Sequence, residues 1–139
     1  MKSNLTIVFM MPDHSDHQPE VPLLDVQPLA AALRKFADAR DWGQFHSPKN
    51  LVMALTGEVG ELTELFQWMT EEQSRNACSD ASTALKIEQE LADVLLYLVR
   101  LSDVLGVDLR LAAENKIKLN AEKYPVGQAY GSNKKYNEL

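Results

Sequence analysis

Two acidic stretches decide the fold expected of this chain: GEVGELTELFQW at residues 57–68 and ELADVLLYLVRLSDVLGVDL at residues 90–109. Apolar residues recur in both at intervals of three and four, which is the spacing of one face of a helix. Each stretch also carries two acidic residues three positions apart, on a single helical face. The sequence therefore predicts two long amphipathic helices that hold carboxylates among apolar side chains.

The four carboxylates are Glu58 and Glu61 in the first acidic stretch and Glu90 and Asp93 in the second. Like charges at this spacing repel each other, so each pair costs free energy unless a cation offsets it. Such pairs usually lie on a solvated surface, and either pair alone is weak evidence of a site. Two pairs in apolar surroundings would converge if the helices packed antiparallel, which favours metal binding.

The residue types favour a particular class of metal. Oxygen ligands without histidine are typical of Mg²⁺, with Mn²⁺ as a substitute, and disfavour zinc. A di-iron redox bundle, the alternative, would carry Glu-x-x-His motifs on its helices and contain bound iron. His14, His17 and His46 all lie outside the interiors of the predicted helices. The sequence thus favours a magnesium site, and Mg²⁺ commonly binds substrate phosphates.

Start and stop signals extend the helical pattern over most of the chain. Ser47 and Asp108 are suitable N-cap residues, Pro48 suits a first helical position, and Gly106 suits the position after a helix. Gly57 and Gly60 within a helix suggest the close approach of a neighbouring helix or ligand. The sequence predicts an all-α four-helix bundle, with helices over about 25–40, 48–71, 83–105 and 108–124 and a loop over 72–82.

Composition limits the remaining possibilities. The chain has 139 residues, which suits one domain, and a net charge of −6, which argues against binding a nucleic-acid polymer. Its single cysteine, Cys78, cannot form an intramolecular disulfide, and no apolar run approaches the length of a membrane span. We expect a cytoplasmic protein with a flexible N-terminal arm (residues 1–24), an all-α domain (25–126) and a C-terminal tail (127–139).

Other polar and aromatic residues are weaker candidates for a nucleotide site. Aromatic side chains near helix ends could stack on a base, although each one alone is more often an ordinary core residue. Lys116 and Asn120 share one face of the fourth helix and could contact phosphate or sugar, although such a pair is more often solvated. Asp103 has the pattern of a surface charge. The candidates for base contact are Trp42, His46, Trp68 and Tyr97.

The two acidic stretches, together with RDWGQFHSPKNL at 40–51 and NKIKLNAEKYPV at 115–126, resemble the all-α nucleotide pyrophosphohydrolases of the MazG-like superfamily. The resemblance is strongest to the dCTP pyrophosphatase branch and covers roughly residues 25–126. It implies Mg²⁺-dependent hydrolysis of a deoxynucleoside triphosphate to the monophosphate and pyrophosphate. It also implies a homotetramer built from paired bundles, with sites shared between subunits.

The same resemblance implies roles for individual residues. Glu58, Glu61, Glu90 and Asp93 match metal ligands; Trp42, Trp68 and Tyr97 match residues near the nucleotide; Lys116 and Asn120 match phosphate- and sugar-side contacts; and His46 lies in a matched loop. Many members of the superfamily have two adjacent acidic residues where this chain has Gly57-Glu58. The dCTP-type branch resembles this chain at these two positions.

Leu33 stands where the family pattern has a polar histidine near the base. A broader or different base preference therefore remains an alternative, as does a non-catalytic nucleotide-binding helical module.

Overall fold

The computed structural model describes residues 22–139, so the predicted arm at 1–24 falls almost entirely outside the described residues. All regular structure in this part of the chain is helical, which confirms the all-α prediction. The α-helices are α1 (Gln27–Asp38), α2 (Pro48–Phe66), α3 (Glu71–Arg75), α4 (Ala81–Leu105), α5 (Leu109–Lys123) and α6 (Val126–Ala129). Single 3₁₀ turns lie at Trp42–Phe45, Ala77–Ser79 and Tyr136–Glu138.

Side-chain caps begin the long helices where the sequence places suitable residues. The Ser47 hydroxyl accepts a hydrogen bond from the Asn50 N–H, and the Asp108 carboxylate accepts one from the Leu111 N–H. Both caps confirm the predicted helix starts, since each satisfies a main-chain donor that the helix leaves free. At the other end of α4, Gly106 adopts the left-handed conformation (φ 66°) that glycine tolerates without strain.

The connection between α2 and α4 differs from the prediction. Helix α2 ends at Phe66 rather than near Glu71, and the short helix α3 occupies part of the segment predicted as a loop. The reason is a capping box, in which the Thr70 hydroxyl accepts from the Gln73 N–H while the Gln73 side chain accepts from the Thr70 N–H. Trp68 therefore lies in the turn between two helices and is not part of a helix.

Helix α4 starts two residues earlier than expected because Asp80 caps it. The Asp80 carboxylate accepts hydrogen bonds from the Ser82 hydroxyl and from the Thr83 N–H and hydroxyl. The bond from Ser82 and those from Thr83 lower the pKa of Asp80 to about 2. The cap is therefore ionised at any ordinary pH, which suits the positive end of a helix dipole.

Helices α2 and α4 form the main packed pair, and α1 lies against α4. Glu58 meets Glu90 and Asp93, while His46, just before α2, meets Arg100 further along α4. Later residues of α4 therefore face earlier residues of α2, so the pair is antiparallel, as the carboxylate pattern requires. The buried apolar side chains are Ala30, Ala37, Leu51, Ala77, Ile87 and Val99.

Helix α5 is present as predicted, but within one chain it packs closely against none of the other helices. None of its residues is buried, and Leu111, Ile117 and Leu119 are about half-exposed. The C-terminal tail returns to the end of α5, where the rings of Tyr124 and Tyr136 meet edge-on at 6.2 Å. Among the described residues, the apolar side chains of this long helix therefore stay about half-exposed.

The close approach expected at two glycines of α2 does not occur within the described chain. A Cβ atom placed on Gly57 or on Gly60 would meet no atom within 4 Å. The neighbouring side chains Val52, Met53 and Val59 are also exposed. No other described residue therefore covers this face of α2 closely. None of the described helices is both long enough and apolar enough to cross a membrane.

Leu51→Ala should lower the free energy of unfolding by about 2–5 kcal/mol, because Leu51 is 1% exposed and the substitution leaves a cavity in the core. Urea unfolding followed by circular dichroism measures this loss. Leu23→Ala is the matched control, since Leu23 is 72% exposed and its truncation should cost well under 1 kcal/mol. Equal effects of the two substitutions would contradict this assignment of the core.

Candidate metal and nucleotide site

Three of the four predicted carboxylates converge between α2 and α4. One carboxylate oxygen from each of Glu58, Glu90 and Asp93 lies within 4.8 Å of the other two. Glu58 comes from the middle of α2, and the other two come from adjacent turns of α4, so the antiparallel pairing of the helices brings them together. The arrangement can supply several oxygen ligands to one hard cation.

One oxygen of this cluster, Oε2 of Glu90, is buried and has no hydrogen-bond partner among the described residues. Burial raises the pKa of Glu58, and the negative charges of Asp93, Glu61 and Glu90 raise it further, in that order. A buried, unpaired carboxylate is costly unless a cation balances it. Both observations fit a bound divalent cation, for which oxygen-only ligands are typical.

Glu61 lies at the edge of the cluster. It is exposed and is not one of the three carboxylates that meet, yet its charge contributes to the raised pKa of Glu58. Glu61 follows Glu58 by three residues on α2, so it shares that face of the helix. Its assignment as a metal ligand stays a prediction, and its position beside the cluster also suits a role toward water or substrate.

A pocket of about 210 Å³ adjoins the carboxylates. Asp93 belongs to both features, because it lines the pocket and also contributes an oxygen to the carboxylate cluster. The other walls are largely apolar and aromatic, a composition typical of sites that hold a planar organic group. The remaining lining residues are Leu33, Phe36, Trp42, His46, Leu96, Tyr97 and Arg100.

The 3₁₀ turn Trp42–Phe45 brings the aromatic wall of the pocket together. The rings of Phe36 and Trp42 meet edge-on at 5.7 Å, and those of Trp42 and His46 do so at 6.3 Å. Asp41, with φ 52°, makes the left-handed bend that leads from α1 into this turn. The Arg40 guanidinium lies 3.6 Å from the centre of the Phe36 ring. Aromatic contacts thus fix the wall against α1.

A polar network lies beside the same wall. Arg100 donates from Nε to Nδ1 of His46 at 3.2 Å and from a terminal nitrogen to Oδ2 of Asp103 at 3.0 Å. The same Oδ2 atom pairs with Nε of Arg34 on α1 at 3.1 Å. The side chain of Asp103 is only 18% exposed, so its interpretation as a surface charge was wrong. Its spacing from Arg100, three residues along α4, was the signal in the sequence for this pair.

The pocket contains some of the predicted base-contact residues and lacks others. Trp42, His46 and Tyr97 line it, whereas Trp68 is 87% exposed in the turn after α2. Lys116 and Asn120 are exposed on α5, the helix that does not pack closely on the bundle. One chain therefore forms the carboxylate cluster and part of a pocket, and it leaves three predicted contacts on open surfaces. The roles of all six residues stay predictions.

Sequence reasoning did not identify three residues of the pocket: Phe36, Leu96 and Arg100. The two apolar ones follow ordinary helical spacing, which does not separate a pocket wall from a core. Arg100 lies in a strongly apolar helix. A cation in that setting could have indicated a specific contact, because such a group needs a partner when it is buried.

The site is a carboxylate centre with an adjoining aromatic pocket, set in an all-α bundle. This combination is typical of an enzyme or binding protein that takes phosphorylated small molecules with a divalent cation. A sequence model of the MazG-like family matches residues 54–139. The chain belongs to the MazG-like family, as the acidic motifs indicated.

Individual relatives agree with this assignment. The chain is 44% identical over 128 residues to dCTP pyrophosphatase 1 of Homo sapiens, a match that covers 92% of this chain and 74% of that protein. It is 43% identical over 120 residues to dCTP pyrophosphatase 1 of Bos taurus, covering 86% and 69% respectively. A crystal structure of a pyrophosphatase from Archaeoglobus fulgidus superposes with a TM-score of 0.67 at 37% identity, covering 72% of this chain and 92% of that one.

Glu58→Gln should raise the melting temperature of the metal-free protein at pH 7. The pKa of Glu58 is raised above its ordinary value of 4.5, so the folded state binds this proton more tightly than the unfolded chain does. The stability that Glu58 contributes is therefore present below pH 4.5 and is lost as the pH rises through the raised pKa. Thermal unfolding in a chelator, across a pH series, measures this difference.

Added Mg²⁺ should reverse the order of the two proteins. Binding to the folded state raises the melting temperature of the wild type, while Glu58→Gln should lose most of that increase. Glu88→Gln is the matched control, because Glu88 is exposed on α4 and lies outside the cluster. An Mg²⁺ response that survives in Glu58→Gln would exclude this cluster as the cation site.

Proposed function

We propose that this chain hydrolyses dCTP, or a modified dCTP, to the nucleoside monophosphate and pyrophosphate, using Mg²⁺. The observation that carries the proposal is the position of Asp93, which belongs both to the carboxylate cluster and to the lining of the aromatic pocket. A nucleoside triphosphate needs both features, because its base requires a flat apolar surface and its phosphates require cations. The names of the relatives, dCTP pyrophosphatase 1, support the same substrate.

The proposed division of roles follows the geometry. Glu58, Glu90 and Asp93, joined by Glu61, would hold Mg²⁺, which when bound neutralises phosphate charge and activates water. Trp42 and Tyr97 contact the base, at a typical contribution of about 1–3 kcal/mol per stacked aromatic. Water attacks the α-phosphorus, the bond to the bridging oxygen of the β-phosphate breaks, and pyrophosphate leaves. We assign Glu61 the acceptance of the proton from that water, because it is exposed beside the cluster.

A broader base preference is the second candidate, and one residue favours it. Leu33 lines the pocket from α1 and offers no hydrogen-bond donor or acceptor to a base. An apolar wall discriminates weakly between bases of similar shape, whereas a polar group that pairs with the base can reject analogues strongly. Nucleotide-pool cleaning with relaxed selectivity would follow from such a wall. The third possibility is a non-catalytic nucleotide-binding module with the same pocket.

We also propose that the protein acts as a homotetramer with shared sites. Exposed apolar side chains follow the length of α4, where Leu91, Leu95 and Leu98 lie on open surface. The open face of α2 and the unpartnered helix α5 add to this surface, and large exposed apolar areas usually mark interfaces. Trp68, Lys116 and Asn120 would then reach a site on a neighbouring subunit.

The exposed free thiol of Cys78 suits a reducing compartment, and we propose a cytoplasmic location.

Pyrophosphate release from a panel of deoxynucleoside and ribonucleoside triphosphates, with Mg²⁺, tests the reaction. We expect dCTP to be the preferred substrate and Asp93→Asn to reduce kcat by about a hundredfold, because the amide keeps one oxygen but loses the negative charge that holds a hard cation. Asp38→Asn, on the exposed part of α1, is the matched control and should retain normal turnover. Full activity in Asp93→Asn would overturn the role of the cluster, and binding without hydrolysis of any nucleotide would favour the non-catalytic module.

The assembly is tested separately by size-exclusion chromatography with light scattering, which measures the mass of the eluting protein. The wild type should have four times the mass of one chain. Leu95→Glu should lower the mass because it places a charge on the exposed apolar stripe of α4, whereas Leu23→Glu, outside the helices, should leave it unchanged. A monomeric wild type with full activity would disprove the shared-site proposal and leave the reaction itself untouched.

A further inference from the structure

The contact between Arg100 and His46 determines which nitrogen of the imidazole carries a proton. Nε of Arg100 is a donor that never acts as an acceptor, so Nδ1 of His46 must present a lone pair to it. A histidine that accepts at Nδ1 is neutral and carries its single proton on Nε2. Burial lowers the pKa of His46, and the positive charge of Arg100 lowers it further, which also favours the neutral ring.

The rest of the network holds Arg100 in place for this contact. Its side chain is 12% exposed, and Asp103 accepts a second hydrogen bond from the same guanidinium. Arg34 on α1 pairs with the same carboxylate oxygen of Asp103, so the anion is fixed between two helices. Because a guanidinium is planar and rigid, holding one of its nitrogens at Asp103 also sets the direction of the N–H that points to His46.

We infer that Arg100 is a positioning residue for nucleotide recognition, which fixes His46 as the Nε2–H tautomer so that the imidazole donates a hydrogen bond to an acceptor atom of the bound base. The choice of a nucleotide base as the ligand rests on the proposed function. Among the described residues, no group accepts a hydrogen bond from Nε2, while the ring lines the pocket. The one donor of His46 is therefore left available to a ligand.

The character of the pocket selects the base, rather than a phosphate, as the group that His46 meets. Leu33, Phe36 and Leu96 make the surrounding wall apolar, and a neutral N–H adds no net charge to it. Cytosine presents the acceptors O2 and N3 on its edge, and either one can receive such a donor. Loss of a hydrogen bond between neutral groups typically costs about 0.5–1.5 kcal/mol, or roughly threefold to tenfold in affinity.

The tautomer is tested first, by NMR of protein labelled with ¹⁵N in its histidine side chains. The chain has only three histidines, and His46→Gln identifies the signals of His46 by their loss. In the wild type we expect a protonated Nε2 and an unprotonated Nδ1. In Arg100→Met the two nitrogens should instead show exchange between both tautomers. A wild-type His46 with its proton on Nδ1 would overturn the inference, whatever the enzymatic activity of the protein.

Binding of dCMP then separates positioning from a purely structural role. Calorimetry with dCMP measures recognition of the base without requiring hydrolysis. In the wild-type background, Arg100→Met should weaken binding by the reciprocal of the fraction of His46 that keeps its proton on Nε2, roughly twofold if the two tautomers become equally populated. His46→Gln places an amide donor near the position of Nε2, so it should weaken binding less than His46→Phe does. In the His46→Phe background, Arg100→Met should have little further effect, because phenylalanine has no donor for Arg100 to position.

Equal losses from Arg100→Met in both backgrounds would show that Arg100 acts on the fold rather than through His46, and would overturn the inference. If Arg100→Met does not fold, Arg100→Lys serves the same comparison, since it keeps the cation but cannot bind Asp103 and His46 from one planar group. These outcomes are distinct from failure of the proposed function. Absence of pyrophosphate release would refute the reaction, while the tautomer and the coupled loss of dCMP affinity would stand.

Discussion

Electrostatic repulsion among Glu58, Glu90 and Asp93 is the constraint around which the structure is arranged. One oxygen from each lies within 4.8 Å of the other two, and one oxygen of Glu90 is buried with no hydrogen-bond partner among the described residues. Close charges of one sign in a partly buried setting destabilise the fold unless a cation compensates them. The antiparallel pairing of α2 and α4 nevertheless brings them together, with apolar packing around them to offset the cost. Such an arrangement has a direct explanation if cation binding is what the helix pair provides.

The aromatic pocket depends on the same helix pair. Asp93 lies on α4 between the carboxylate cluster and the pocket, and Tyr97 and Arg100 follow it at helical intervals. The segment before α2 adds Trp42 and His46 to the pocket lining, with His46 in contact with Arg100. The carboxylate cluster and the aromatic pocket therefore share one surface of α4. The spacing along one helix sets how far the two ends of a ligand can be apart.

Three of the predicted nucleotide contacts lie away from the pocket among the described residues. Trp68, Lys116 and Asn120 lie on exposed surfaces, and the helix that carries the last two makes few contacts within the chain. Exposed leucines along α4 and the open glycine face of α2 surround this incomplete arrangement. Burial of these surfaces against further copies would satisfy the apolar side chains and bring the missing polar groups to the pocket. One physical requirement, the covering of apolar area, would thus serve both stability and function.

Local signals in the sequence determined the helices, their caps at Ser47 and Asp108, and the carboxylates themselves. Those features depend on residues a few positions apart, and the periodicity of a helix is strong enough to reveal them. Contacts between distant residues were decided by the tertiary structure alone. The sequence did not indicate that Arg34 of α1 would pair with Asp103, or that Arg100 would reach His46 from 54 positions away. Such a contact depends on how α2 packs against α4, and a pattern of residues that are close in sequence does not determine that packing.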